Sequence, residues 1–253
     1  MRAQILKDLL TVKEERIHER LTKGLLYFIT MLLRSRTNTV IRPILFGASL
    51  TALKKKTCGI RPLAVGITFR RMAAKLVGQR IKKPITNELA LHQLEVGIPR
   101  AAEIGAHAAW TYIKAKHKSP KVVLKLNFQN AFNEVIMLCA FSSHFLEAYL
   151  LIESCYREPS TLFFGSTSAL GCQQGDPLEP TIFALVIQPI VHAIQAELNL
   201  FYLDDATIGD SPEVVLADLD VVQKMAAEVG LTLNSSKCEM AVVGARSVMR
   251  SNL

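Results

Sequence analysis

Apolar and polar positions follow two alternating rhythms along the chain, and each predicts a different kind of element. Ile17, Leu21, Leu25 and Phe28 recur at helical spacing within residues 1 to about 48, a stretch rich in Leu, Lys, Arg and Glu that reads as a helical extension. After Thr68, a candidate N-cap, the residues Phe69, Met72, Ala73, Leu76, Val77 and Ile81 form an apolar stripe, with Arg71, Lys75 and Lys82 on the opposite face. A further helix is predicted from Ala101 to Lys116, with Ile104, Ala108 and Ile113 among its buried candidates, and Pro120 stops the basic segment that follows. Then the rhythm changes. Lys121-Val122-Val123-Leu124-Lys125-Leu126-Asn127-Phe128 reads as a buried strand, and Gln129-Asn130-Ala131-Phe132-Asn133 as the turn into a helix. The apolar run from Ile182 to Ile194 is interrupted by Gln188, Pro189 and His192. It falls short of the roughly 18–20 apolar residues of a membrane span, so it reads as a buried helix. Ser211 and Pro212 have the chemistry of an N-cap and first helical position, ahead of Val215, Leu219, Val222, Ala226 and Val229 on one face and Gly230 at the end. A short strand-like segment, Leu231-Thr232-Leu233-Asn234, follows.

One apolar run carries charge where burial predicts none. In Phe201-Tyr202-Leu203-Asp204-Asp205-Ala206-Thr207-Ile208 two adjacent carboxylates separate two short β-favouring runs, which predicts a hairpin with the aspartates at its tip. Both can reach a common ion there, and a carboxylate pair suits Mg²⁺ held against phosphates. A solvated Asp-Asp turn is the alternative that this stretch leaves open. Lys54-Lys55-Lys56-Thr57-Cys58-Gly59-Ile60-Arg61-Pro62-Leu63 places a basic cluster beside a turn, either to grip phosphates or as a solvated face. Gly171-Cys172-Gln173-Gln174-Gly175-Asp176-Pro177-Leu178 is a Gly-bounded polar loop that lets backbone approach a ligand before the helix near Pro180 begins.

Composition narrows the partners. The 253 residues allow one large domain or two small ones, and half of them are hydrophobic, enough for a real core. Thirty Lys and Arg against 22 Asp and Glu leave a net charge of +8, which fits a polyanion such as nucleic acid. Cys58, Cys139, Cys155, Cys172 and Cys238 are odd in number and widely spaced, without zinc-ligand spacing, and read as reduced core residues; the six His suggest no ligand set. Met1-Arg2-Ala3-Gln4 lacks the profile of a signal peptide, so a cytoplasmic or nuclear setting is expected.

In this order, the segments resemble the reverse transcriptase domain of non-LTR (LINE-like) retrotransposons, from about Leu53 to Val243. Lys54 to Gly66, with its Arg-Pro-Leu, is similar to the fingers segment, Leu124 to Asn133 to motif A, and Gly171 to Pro180 to motif B. Phe201 to Asp205 is similar to motif C, and Gly230 to Glu239 to motif D. The resemblance implies an α+β fold of the right-hand polymerase type, with fingers at about 49–120, a palm at about 121–253 and no thumb. It implies two Mg²⁺ ions, or Mn²⁺ in their place, held by Asp204 and Asp205 with the Phe128 carbonyl as a further ligand. Arg61 would contact the triphosphate, with Lys54, Lys55 or Lys56 nearby. Phe132 would gate against a 2′-hydroxyl, its plain alternative being core packing. Gln173, Gln174 and Gly175 would line nucleotide and template, and Lys237 would protonate or pair with pyrophosphate, a solvated lysine being the alternative. The implied partners are an RNA template, a DNA primer and deoxynucleoside triphosphates, with no membrane.

Three positions depart from the family pattern. Asn127 stands where relatives have the metal-bridging aspartate of motif A, Glu179 replaces a Gly of motif B, and Ile67 stands where many relatives have Glu. A neutral amide oxygen binds Mg²⁺ more weakly than a carboxylate does. The sequence therefore supports an RNA-directed DNA polymerase domain impaired at Asn127, or alternatively a catalytically inactive nucleic-acid-binding remnant or domesticated module.

Overall fold

The strand rhythm that starts at Lys121 builds the middle of a sheet. The computed structural model describes residues 3–54, 60–89, 92–129, 131–134, 145–163, 166–168, 172–173, 175–243 and 250–252. In chain order its elements are α1 (Ala3–Leu10), α2 (Glu15–Leu33), α3 (Arg42–Leu45), β1 (Ala48–Lys54), β2 (Ile60–Gly66), α4 (Thr68–Leu89), α5 (Ala101–Lys114), β3 (Lys121–Gln129), α6 (Ala131–Glu134) and α7 (Leu146–Tyr156). They continue with β4 (Ser160–Phe163), β5 (Ser166–Ser168), α8 (Glu179–Ala193), β6 (Leu198–Tyr202), β7 (Asp205–Asp210), α9 (Pro212–Glu228), β8 (Thr232–Leu233), a 3-10 turn at Ser235–Lys237, β9 (Glu239–Val243) and β10 (Arg250–Asn252).

These elements form two compact units that interleave in sequence, residues 1–81 with 138–179, and residues 82–137 with 180–253. Helix α2 packs on α7, so the N-terminal stretch belongs to the first unit, and α5 packs on β6 within the second. In the first unit the strand order is β2-β1-β4-β5, with β1 and β2 antiparallel from Ala48↔Gly66 to Lys54↔Ile60. The α4 stripe buries Ala73, Val77 and Ile81 while Arg71 and Lys75 face outward, as the spacing predicts, but Leu76 of the same stripe is exposed.

The second unit carries the order β10-β9-β3-β7-β6, with β8 also paired to β3. Val122, Val123, Leu124, Leu126, Asn127 and Phe128 are all buried, so β3 is covered on both faces and reads as a continuous apolar run rather than an alternation. Helix α9 packs on β3 and β7. It buries Val215, Val222 and Ala226 as expected and also Asp218, whose carboxylate accepts the Gln195 and Ala196 N–H groups at 3.0 and 2.9 Å just before β6. Helix α5 corrects the expectation for its face: Ile104 and Ile113 are exposed, whereas Ala101 and Tyr112 are buried. Tyr112 joins Val123, Leu198 and Val243 in the core, so the side facing β6 is set by that aromatic. Cys155, Cys172 and Cys238 are buried and form no disulfide among the described residues, while Cys58 and Cys139 lie outside those residues. Among the described residues no helix is long and apolar enough to cross a membrane.

An ion pair closes one end of the β3–β7 ladder. Lys121 Nζ donates to Asp210 Oδ1 at 2.5 Å, and the backbone N–H groups of Ser211 and Glu197 donate to the same carboxylate at 2.6 and 3.0 Å. Burial alone would raise the Asp210 pKa, but these hydrogen bonds outweigh it and hold the carboxyl below its ordinary value; the Asp210 hydrogen bond raises Lys121. A depressed carboxyl stabilises the fold above its unfolded pKa and loses that contribution as pH falls through the folded value. A raised ammonium does so below its unfolded pKa, until pH rises through its folded value. The pair's contribution is thus complete between about pH 5 and pH 10. Asp210→Asn is expected to cost about 1–2 kcal/mol at neutral pH and progressively less in acid below that window, measured by urea unfolding across pH.

Candidate active site

The opposite end of that ladder carries the two aspartates. Register runs from Val122↔Asp210 to Asn127↔Asp205, and Tyr202↔Asp205 leaves Leu203 and Asp204 as a two-residue hairpin turn. Asp204 is half-buried in the turn and Asp205 is exposed at the start of β7. Because side chains alternate along a strand, a one-residue slip would send Asp205 to the other face and break its pairing with Asn127. The Asp204 carbonyl accepts the Phe128 N–H at 3.1 Å, which fastens the turn to β3. The neighbouring Glu95 side chain, with burial, pushes the Tyr202 hydroxyl pKa up.

Asn127 is only 7% exposed, and its Nδ2 donates to Asp205 Oδ1 at 3.0 Å. The carboxylate acceptor fixes the amide orientation, since a flipped amide would set oxygen against oxygen. Its Oδ1 is then buried without a hydrogen bond. Two carboxylates and an unpaired amide oxygen are hard donors of the kind a divalent cation such as Mg²⁺ or Mn²⁺ takes. The set is short of a third carboxylate, and no group of three His, Cys, Asp or Glu that could hold a metal occurs among the described residues.

Further motif residues gather in this unit. The Asn127 carbonyl accepts the Asn234 N–H at 2.8 Å, and Asn234 opens the 3-10 turn on which Lys237 stands exposed. The motif D turn is thereby tied to β3 beside the carboxylates. Phe132, on the short α6 that follows β3, stacks against Phe183 of α8 with ring centroids 4.8 Å apart.

The first unit holds the other candidates. Arg61 lies on β2 opposite Leu53, with its side chain outside the described residues, as are Lys55, Lys56 and Gln174 in full; Lys54 ends β1, exposed. Gly175 has φ +105°, and a Cβ there would come within 3.2 Å of Leu63 Cδ1, so glycine lets the motif B loop close on β2. Glu179 does not project its charge outward: its Oε2 accepts the Gly175 N–H at 2.7 Å, and the residue is buried. The Gln173 amide is likewise engaged inside, with Nε2 donating to Ser160 Oγ at 2.7 Å and Oε1 accepting from Arg70 at 2.5 Å.

Arg70 is the residue that sequence reasoning missed. It is 1% exposed on α4, and its Nε and Nη2 donate to Asp176 Oδ2 at 3.1 and 2.7 Å, while Nη1 also donates to the Phe46 carbonyl. Tyr156 donates its hydroxyl to the same Asp176 oxygen at 3.2 Å and lies beneath the guanidinium, 5.1 Å from its ring centroid. Burial acts to lower the Arg70 pKa, but attraction to Cys155, Tyr156 and Asp176 outweighs it, and the guanidinium stays charged. Burial pushes the Cys155 thiol up to about 12, leaving it inert. The only advance signal was a second Arg beside Arg71 at the start of an apolar helix.

A two-unit α+β chain whose antiparallel sheet presents adjacent carboxylates on a hairpin next to a motif A strand has the palm fold of the right-hand polymerase type. It belongs to the reverse transcriptase (RNA-dependent DNA polymerase) family, whose model matches residues 53–249. Among solved structures the fold is similar to telomerase from Candida albicans in complex with a fragment of telomeric RNA, at 11% identity and TM-score 0.55, covering 84% of this chain and 44% of that one. It is also similar to an RdRp complex (11% identity, TM-score 0.50) and to the BmCPV RNA-dependent RNA polymerase at elongation state (12%, 0.53), each covering 87% of this chain and 23% of the other. The chain thus spans less than half the length of these structures. No curated protein matches the sequence.

Proposed function

We propose that this chain is the RNA-directed DNA polymerase domain of a non-LTR (LINE-like) retrotransposon, built for nucleotidyl transfer and impaired by Asn127. The observation that carries this reading is the register pairing of Asn127 with Asp205, which sets the motif A position beside the motif C carboxylates at one end of the ladder. Two Mg²⁺ ions, or Mn²⁺, would when bound activate a primer 3′-hydroxyl and neutralise the triphosphate it attacks. Asp204 and Asp205 would hold them, with Asn127 Oδ1 and the Phe128 carbonyl as weaker neutral donors. Lys237 would meet the pyrophosphate as its charge develops, and Arg61 would grip the incoming triphosphate. Phe132 would stand against a 2′-hydroxyl, and Gln174 and Gly175 would line nucleotide and template, with Gln173 holding that loop from inside. RNA template, DNA primer and deoxynucleoside triphosphates are the partners of this reading, in a cytoplasmic or nuclear setting.

One observation favours a second reading, an inactive nucleic-acid-binding remnant or domesticated module. The Asn127 amide already occupies an oxygen of Asp205, which a metal would have to recover. Primer extension on an RNA template with Mg²⁺ or Mn²⁺, run for this chain and for Asn127→Asp, separates the two. Incorporation that depends on Asp204 and Asp205 supports the polymerase. If neither form incorporates nucleotide while both bind primer-template in a salt-sensitive way, the second reading stands.

A further inference from the structure

His92, Gln93 and Leu94 run alongside the first strand of the hairpin. Phe201 donates its N–H to the His92 carbonyl at 2.7 Å, and Leu94 donates to the Phe201 carbonyl at 2.9 Å, so Gln93 forms an isolated parallel bridge with Phe201. From there the Gln93 side chain, fully buried, reaches past the strand end, and its Oε1 accepts the Leu203 N–H at 3.0 Å. Leu203 is the first turn residue and has φ +52°, a left-handed backbone that glycine adopts freely and a bulky side chain rarely does.

The chemistry of Gln93 makes sense only through that bond. The Leu203 N–H fixes which end of the amide faces the turn, and the other end, Nε2, is buried with no partner. An unpaired buried donor is costly, and methionine would fill similar space without it. The acceptor at Leu203 is what glutamine adds over methionine.

We propose that Gln93 is a positioning residue for the metal-binding hairpin. Its side-chain oxygen holds Leu203 in the left-handed region, and this sets the direction in which Asp204 and Asp205, the next two residues, present their carboxylates. Strained backbone persists only where surrounding structure over-determines it. Here Gln93 grips the turn, while the backbone bonds of His92 and Leu94 to Phe201 tie the same segment to the strand. The inference rests on the polymerase reading for its consequence, not for its geometry.

The test uses the full chain and two readouts. Amide hydrogen exchange at Leu203 is expected to be protected in the native protein, about tenfold faster in Gln93→Met, and protected again in Gln93→Glu, which keeps an acceptor at the same reach. Mn²⁺ affinity, read by electron paramagnetic resonance, is expected to fall about tenfold in Gln93→Met. Adding Leu203→Gly, which removes the cost of the positive φ, should restore most of that loss. Leu203→Ala, which deletes nearly the same side chain but keeps Cβ, should not. Should Gln93→Met fail to fold, Gln93→Glu against Gln93→Asn, which falls one methylene short, carries the exchange comparison. Native exchange and native Mn²⁺ affinity in Gln93→Met would overturn the proposal, as would equal rescue by Ala and Gly. If neither the native chain nor Asn127→Asp binds Mn²⁺, the polymerase reading fails, and the Leu203 exchange still decides whether Gln93 sets the turn.

Discussion

Asn127→Asp is expected to raise primer extension on an RNA template about 10²-fold with Mg²⁺, the equivalent of roughly 3 kcal/mol of transition-state stabilisation. The native amide acts against the site in two ways. Its Nδ2 holds Asp205 Oδ1 at 3.0 Å, so a cation must displace that hydrogen bond, and its Oδ1 offers only a neutral oxygen in return. A carboxylate at 127 removes the donor and adds a full charge. It also sets like charges side by side on paired strands, which water does little to relieve at a position 7% exposed. The variant should therefore be less stable than the native chain without metal and gain more from Mg²⁺. Single-nucleotide incorporation rates and melting temperatures with and without Mg²⁺ measure both effects. Native activity at least equal to that of the Asp variant would show that the metal argument is wrong.

The hairpin was legible because its charges interrupt an apolar run, a local signal that needs no knowledge of partners. Asn127 drew notice only through the resemblance, as an amide where a carboxylate is expected, and its contact with Asp205 came from the fold. Helix α9 followed from its cap and stripe, with Ser211 Oγ accepting the Val214 N–H as the N-cap requires. Periodicity failed where the question was what covers a face. Ile104 and Ile113 stand half a turn apart on the helix, so no single neighbour could cover both, and only the Tyr112 side of α5 meets β6. Buried polar residues were illegible for a different reason: Arg70 and Asp176 are 106 positions apart, and Gln93 and Leu203 are 110 apart. Each looks like an ordinary surface residue until the chain brings its partner. The interleaving of the two units was hidden likewise, since order along the sequence carries no record that 138–179 returns to the first.

Arg70→Met should be the most damaging single change outside the carboxylate site, costing about 3–5 kcal/mol, because it strands a buried carboxylate. Asp176 is 7% exposed, and its Oδ2 takes both Arg70 bonds and the Tyr156 hydroxyl while Oδ1 accepts the Leu178 N–H at 2.9 Å. Arg70 in turn holds Gln173 and the Phe46 carbonyl, so one guanidinium connects α4, the end of α3 and the motif B loop. The damage should come from the unpaired charge more than from the lost pair. The double variant Arg70→Met with Asp176→Leu is therefore expected to be more stable than Arg70→Met alone, with a coupling of about 1–3 kcal/mol in a double-mutant cycle. Urea unfolding followed by circular dichroism measures the stabilities, and hydrogen exchange at the Leu178 amide localises the loss to the loop. If the two substitutions simply add, the ion pair is not the unit that holds this loop, and the backbone bonds of Asp176 carry it instead.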